Sequence, residues 1–80
     1  MKTHELKIKP EFAVAKILGM KSFEIRLNDR DFQFGDIVKY SCPDNSFINL
    51  AIKNRVYIIT YITDYAQKDG YVVFADNELR

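Results

Sequence analysis

Eighty residues, 48% apolar and 29% charged, fit one globular domain (residues 1–80) and argue against a disordered chain. The net charge of +1 argues against a broad phosphate-binding surface and leaves room only for a local basic site. Cys42 is the single cysteine, which excludes an internal disulfide and points away from a cysteine-based metal site; no metal and no cofactor is expected.

The chain opens on charge (Lys2, His4, Glu5, Lys7, Lys9), which is not the pattern of a signal peptide. No apolar run reaches the length of a membrane span, so the expected compartment is the cytoplasm. His4 to Lys9 alternates Leu6 and Ile8 against polar neighbours and predicts a short strand. Pro10 suits a first helical turn, and the predicted helix runs to Leu18 with Val14, Ile17 and Leu18 as its buried stripe. Lys16 falls in the last turn, and Gly19 is placed to end the helix in the left-handed conformation.

Lys21 to Asn28 alternates cleanly: Phe23, Ile25 and Leu27 on one side, Ser22, Glu24, Arg26 and Asn28 on the other. Asn28 to Asp31 is a turn, Phe32 and Phe34 alternate again, and Gly35-Asp36 is a second turn. Ile37 to Cys42 predicts a further strand, and Pro43 to Ser46 a loop. Phe47 to Leu50 is ambiguous and is compatible with the start of the next strand. Ala51 to Asp64 is the longest extended segment, with Ile52, Val56, Ile58 and Ile62 as its apolar face. After a loop over Gln67 to Gly70, Tyr71 to Ala75 makes a last strand, and Asp76 to Arg80 reads as a frayed end. The expected class is α+β and mostly β: one N-terminal helix and five or six short strands in a small barrel.

The densest polar pattern follows the helix. Lys21 begins the strand, and Glu24 and Arg26, at i and i+2, share one of its faces. Arg26 offers a planar fork to a phosphate or carboxylate, Lys21 a movable point charge, and Glu24 an acceptor for an exocyclic amine such as that of cytosine. The competing reading is an ordinary surface ion pair between Glu24 and Arg26, with Lys21 solvated.

These residues also carry a resemblance. Gly19 to Arg26, GMKSFEIR, resembles the G-x-K-x-x-E-x-R signature of the ASCH superfamily of PUA-like barrels. HELKI near the start, FEIRLNDRDFQFGD in the middle and KDGYVV near the end resemble a compact bacterial and phage ASCH-like family, over Thr3 to Phe74. The resemblance implies a barrel with a helix beside it and a cleft at the signature. It also implies RNA binding or, in a small enzyme branch, amidohydrolysis of acylated cytidine. That branch uses a Lys, a Thr and a Glu from a later strand. Lys21 matches the Lys, Glu24 stands where the Thr would be, and Ser22 is a nearby hydroxyl at a different place. The later Glu has no secure counterpart; Asp76 and Glu78 lie near the end without a supporting motif.

Outside the signature, Asn28 and Asp31 read as turn chemistry, whereas Arg30 is expected as readily over the cleft of Arg26 as in the turn. Asp36 reads as a turn cap that could instead orient Lys21 or an arginine. His4, the only histidine, reads as a partly exposed strand residue that could touch a ligand, and Lys7 has the same standing. Lys53, Arg55, Tyr57 and Tyr61 fall on one strand face, either an exposed sheet surface or a stacking face for single-stranded nucleic acid. Cys42 reads as a packing residue.

Three functions follow as expectations. The first is a module binding RNA or a nucleotide through Lys21, Glu24, Arg26 and Arg30. The second is a small amidohydrolase acting on a modified nucleoside, with Lys21 and Glu24 catalytic. The third is a non-catalytic protein-interaction module.

Overall fold

The computed structural model describes residues 1–80. Five strands and two helices follow one another as β1 (Thr3–Lys7), α1 (Pro10–Ile17), β2 (Phe23–Leu27), β3 (Ile37–Ser41), α2 (Ser46–Ile52), β4 (Val56–Thr63) and β5 (Tyr71–Leu79). One sheet holds all five strands in the order β1-β3-β4-β5-β2. Only the β1–β3 pair is parallel. The chain is α+β and mostly strand, as expected.

The sheet curls into a half-barrel around a core of Leu6, Val38, Ile59, Phe74 and their neighbours. Its two edges, β1 and β2, are joined by arginine side chains. Arg26 donates from Nη2 to the Lys7 carbonyl at 2.9 Å, and Arg30 from Nη1 to the Glu5 carbonyl at 3.0 Å. Glu5 and Lys7 lie two apart on β1, so their carbonyls point to the same free edge.

Pro10 opens α1, where the missing N–H costs nothing, and Glu11 suits the positive end of the helix dipole. Gly19, at φ +75°, closes it. Its N–H donates to the Lys16 carbonyl at 3.0 Å and that of Met20 to the Ala15 carbonyl at 2.8 Å, a Schellman ending. The buried residues of α1 are Ala13 and Lys16, not the stripe of Val14, Ile17 and Leu18. Val14 and Leu18 are exposed and Ile17 only lies against the core. The small Ala13 lets the helix come close, and Lys16 is drawn inward by carboxylates on β2 and β5.

The single-helix expectation is corrected by α2, which takes in Phe47 to Ile52 from what read as ambiguous or extended chain. Asn45 caps it, its side chain accepting from the Ile48 N–H at 3.0 Å. No strand forms at Phe32–Phe34: Phe32 turns into the core between His4 and Phe74, and Phe34 faces solvent. At the other end, Asp76 to Leu79 is not frayed but continues β5, paired with β4. No helix is long and apolar enough to cross a membrane.

Candidate functional site

β2 is inverted relative to the usual amphipathic strand. Phe23, Ile25 and Leu27 are 44%, 56% and 48% exposed, while Glu24 is 3% exposed. A buried carboxylate needs partners, and Glu24 has three cations. Its Oε2 accepts from Lys21 Nζ at 2.6 Å and lies 3.1 Å from Lys16 Nζ; its Oε1 accepts from Arg26 Nε and Nη2, each at 3.1 Å. The carboxylate thus accepts three hydrogen bonds, from Lys21 and Arg26, and has Lys16 beside it as an ion-pair partner. Burial pushes the Glu24 carboxyl up, but the Lys21 hydrogen bond and the charges of Lys16, Lys21 and Arg26 outweigh it and hold it below the ordinary value.

Lys16 carries the cluster on to β5. Its ammonium donates to both oxygens of the buried Asp76, at 2.8 and 3.0 Å. Tyr40 OH donates to Asp76 Oδ2 at 2.5 Å. Burial, with the charges of Glu24 and Asp76 beside it, pushes the Tyr40 phenol far above its ordinary value, which keeps it a donor. The cluster of Lys16, Lys21, Arg26, Glu24 and Asp76 holds three cations and two carboxylates, one positive charge in surplus.

Above it, between the free edge of β2 and the β1–α1 corner, runs a groove of about 510 Å³. Lys7, Lys9, Lys21 and Arg26 line it with Glu24 at the base, and Phe12, Phe23 and Ile25 supply apolar walls. The Lys21 ammonium sits 5.4 Å from the Phe12 ring centre and 4.8 Å from that of Phe23. Lys21 spends one N–H on Glu24 and one on the Phe23 carbonyl, at 2.7 Å, and has a third left. Arg26 spends Nε and Nη2, and its Nη1 makes no hydrogen bond within the chain. The groove thus has an aromatic rim and unspent cationic donors beneath it.

Of the expected site residues, Lys21, Glu24 and Arg26 meet here, and the surface-pair reading of Glu24 gives way to a buried cluster. Lys7 joins them. Arg30 does not line the groove, because its guanidinium is turned back on β1. His4 is buried away from it, its Nε2 2.8 Å from Asp36 Oδ2 and its ring against Phe32. Asp36 accepts also from the Lys2 and Gln33 N–H groups. Its carboxyl, pushed up by burial, is held below its ordinary value by these hydrogen bonds, that of His4 the strongest. Asp36 is therefore a cap and does not orient Lys21. Asn28 is turn chemistry as read, accepting from the Phe32 N–H at 2.9 Å. Cys42 is buried in the core.

The face of Lys53, Arg55, Tyr57 and Tyr61 does not exist. Lys53 caps α2, Arg55 precedes β4 and bonds Glu78 at 2.9 Å, and Tyr57 is buried in the core. An irregularity between Ile59 and Tyr61 switches the parity of β4, so that Tyr57 and Ile59 face inward and Tyr61 outward. Burial and the Glu78 charge push the Tyr57 phenol up to about 12.

A family model described as a domain of unknown function (DUF3850) matches residues 3–75, nearly the whole chain. The chain belongs to the DUF3850 family. No curated protein matches it. The matched stretch of this DUF3850 domain contains every strand and helix that builds the groove, and stops one residue short of Asp76.

Two members of the cluster, Lys16 and Asp76, escape a reading by motif. The available signal is parity. Asp76 continues the inward positions Val72 and Phe74 of β5, and Lys16 lies three residues after Ala13 on one helix face. A charge on the buried parity of an element is the mark of a buried pair. The late carboxylate that an amidohydrolase would use has a candidate in Asp76, but it is held by Lys16 and Tyr40, not by Lys21. No group of three or more His, Cys, Asp or Glu side chains stands close enough together to hold a metal ion.

Proposed function

We propose that this DUF3850 chain is an ASCH/PUA-like module, its half-barrel closed at the β1–β2 seam by arginines, that binds a nucleotide or a short RNA element in the groove, in the cytoplasm. The observation that carries the reading is the pairing of unspent cationic donors with a phenyl rim. Arg26 Nη1 and the third N–H of Lys21 receive a phosphate, and Phe12 and Phe23 flank a base. Charge distribution supports it. The chain's net charge is +1, whereas the groove gathers Lys7, Lys9, Lys21 and Arg26 against Glu24, +3, so the rest of the chain is −2. Glu24 does not read a base amine in this scheme; buried among three cations, it organises them.

Lys7 and Lys9 are exposed, so replacing both by Gln removes charge without touching the buried cluster. Titration of fluorescein-labelled short RNA by anisotropy should show weaker binding in the double variant and a shallower fall of log affinity with log salt. Equal affinity and equal salt slope in the two proteins would remove the phosphate role of the groove.

The amidohydrolase reading keeps one supporting observation: a carboxylate on a later strand, Asp76, in the same ion cluster as Glu24. It predicts release of the acyl group from N-acylated cytidine, followed by chromatography, and loss of that activity in Lys21→Gln. Because Glu24 is held ionised among three cations, the binding reading is preferred.

A further inference from the structure

The strand inversion that buries Glu24 leaves an uncharged face on the outside of the sheet. The pairings of β2, β5 and β4 align it in rows. Phe23, Ala75 and Tyr61 form one row, Ile25, Val73 and Thr63 the next, and Leu27 and Tyr71 a third. Phe74, next to Ala75, is fully buried, which puts these rows on the opposite, outer face. Phe23, Ile25 and Leu27 are about half exposed and Tyr61 is 66% exposed.

Two features give this face a chemistry. First, its aromatic rings are spaced. Phe23 and Tyr61 lie two strand spacings apart, roughly 10 Å, and only the methyl of Ala75 stands between them. That leaves a slot open to a flat ring. Second, cations border it: Lys21 Nζ, on the groove side, is 4.8 Å from the Phe23 centre, and Lys68 Nζ is 5.7 Å from the Tyr71 centre. No acidic side chain lies in the three rows. Spaced rings with cations beside them are how a sheet holds single-stranded nucleic acid, by base stacking and phosphate contacts. The face is also continuous with the groove, because Phe23 and Ile25 belong to both.

We infer that the ligand is a single-stranded RNA segment of several nucleotides, one nucleotide seated in the groove and the next passing over the β2 edge onto the outer face. There a base enters the slot over Ala75, between Phe23 and Tyr61. This rests on the nucleotide reading of the groove and extends it: the platform selects a chain over a mononucleotide.

The test compares uridine monophosphate with hexauridylate on the intact chain and on Tyr61→Ala and Ala75→Val, by quenching of tyrosine fluorescence and by anisotropy of the labelled hexamer. Val fills the slot, keeps both rings and suits a strand, so its effect is not one of unfolding. The hexamer should bind at least tenfold more tightly than the monophosphate. Each variant should lose roughly five- to a hundredfold of hexamer affinity, the scale of one stacked base, with monophosphate binding unchanged. Hexamer binding no tighter than the monophosphate, or unaffected by either variant, overturns the platform while leaving the groove reading intact. Failure of the monophosphate to bind, with hexamer binding still lost in the variants, overturns the groove reading instead. Self-association in sedimentation that Tyr61→Ala abolishes, without a hexamer effect, would assign the face to a protein partner and also overturn the platform.

Discussion

Glu24 decides how β2 sits. An alternating strand with Phe23, Ile25 and Leu27 on one side is expected to bury them, yet the three-cation coordination of Glu24 is possible only inside, so the phenyl and aliphatic side turns out. Removing one partner of a buried charge cluster costs far more than removing a surface pair. Glu24→Gln keeps the shape and leaves three cations with one carboxylate, Asp76, which of the three only Lys16 contacts. It should lower unfolding stability by about 3 kcal/mol or more, read from the urea midpoint at unchanged slope. A loss under about 1 kcal/mol would return Glu24 to the surface-pair reading. The pH dependence has a definite sign. The folded Glu24 carboxyl lies below its ordinary value of 4.5, so its contribution is complete above that pH and fades as pH falls through the lower folded value. Asp36 acts in the same direction from 3.8. Acid unfolding of Glu24→Gln should accordingly be less steep than that of the parent chain. At this scale the signature was legible as a set of residues but its orientation was not, because alternation says which side chains share a face and not which face is inside.

The elements divide by how local their signals are. Pro10 and Gly19 bound α1 within a residue of expectation because both act on the backbone where they stand. The alternation of Ile37 to Cys42 located β3 for the same reason. α2 has no comparably local signal: Phe47 to Ile52 is one short apolar run, too brief for helical periodicity to stand out, and its deciding feature is the Asn45 cap. Asn45→Ala should therefore cost about 1 kcal/mol, measured by thermal or urea unfolding; no change would mean that tertiary packing alone sets the start of α2. The expected apolar face of β4 holds at Ile62 but is one parity out at Val56 and Ile58, because the irregularity between Ile59 and Tyr61 leaves no mark in composition. The end of β5 is hidden in the sequence because Asp76-Asn77-Glu78 looks like solvated chain until Lys16, sixty residues away in sequence, supplies the counter-charge.

For the whole molecule, the class was legible, and the side chains that link the two edges of the curled sheet were not. A curled five-strand sheet whose edges meet through Arg26 and Arg30 depends on side chains reaching across a gap, which no local pattern encodes. The same gap makes the groove and concentrates positive charge in a nearly neutral chain. The central claim is that this groove binds nucleotide phosphate and base together. The most direct measurement is an amide-resolved NMR titration at low salt with nucleosides, mononucleotides and short RNAs, on the parent chain and on Lys7→Gln/Lys9→Gln. The account predicts shifts at Lys7 to Phe12 and Lys21 to Arg26, larger for nucleotides than for nucleosides and reduced in the double variant. Absence of shifts in those two segments with every ligand, or equal shifts with and without phosphate, would contradict it.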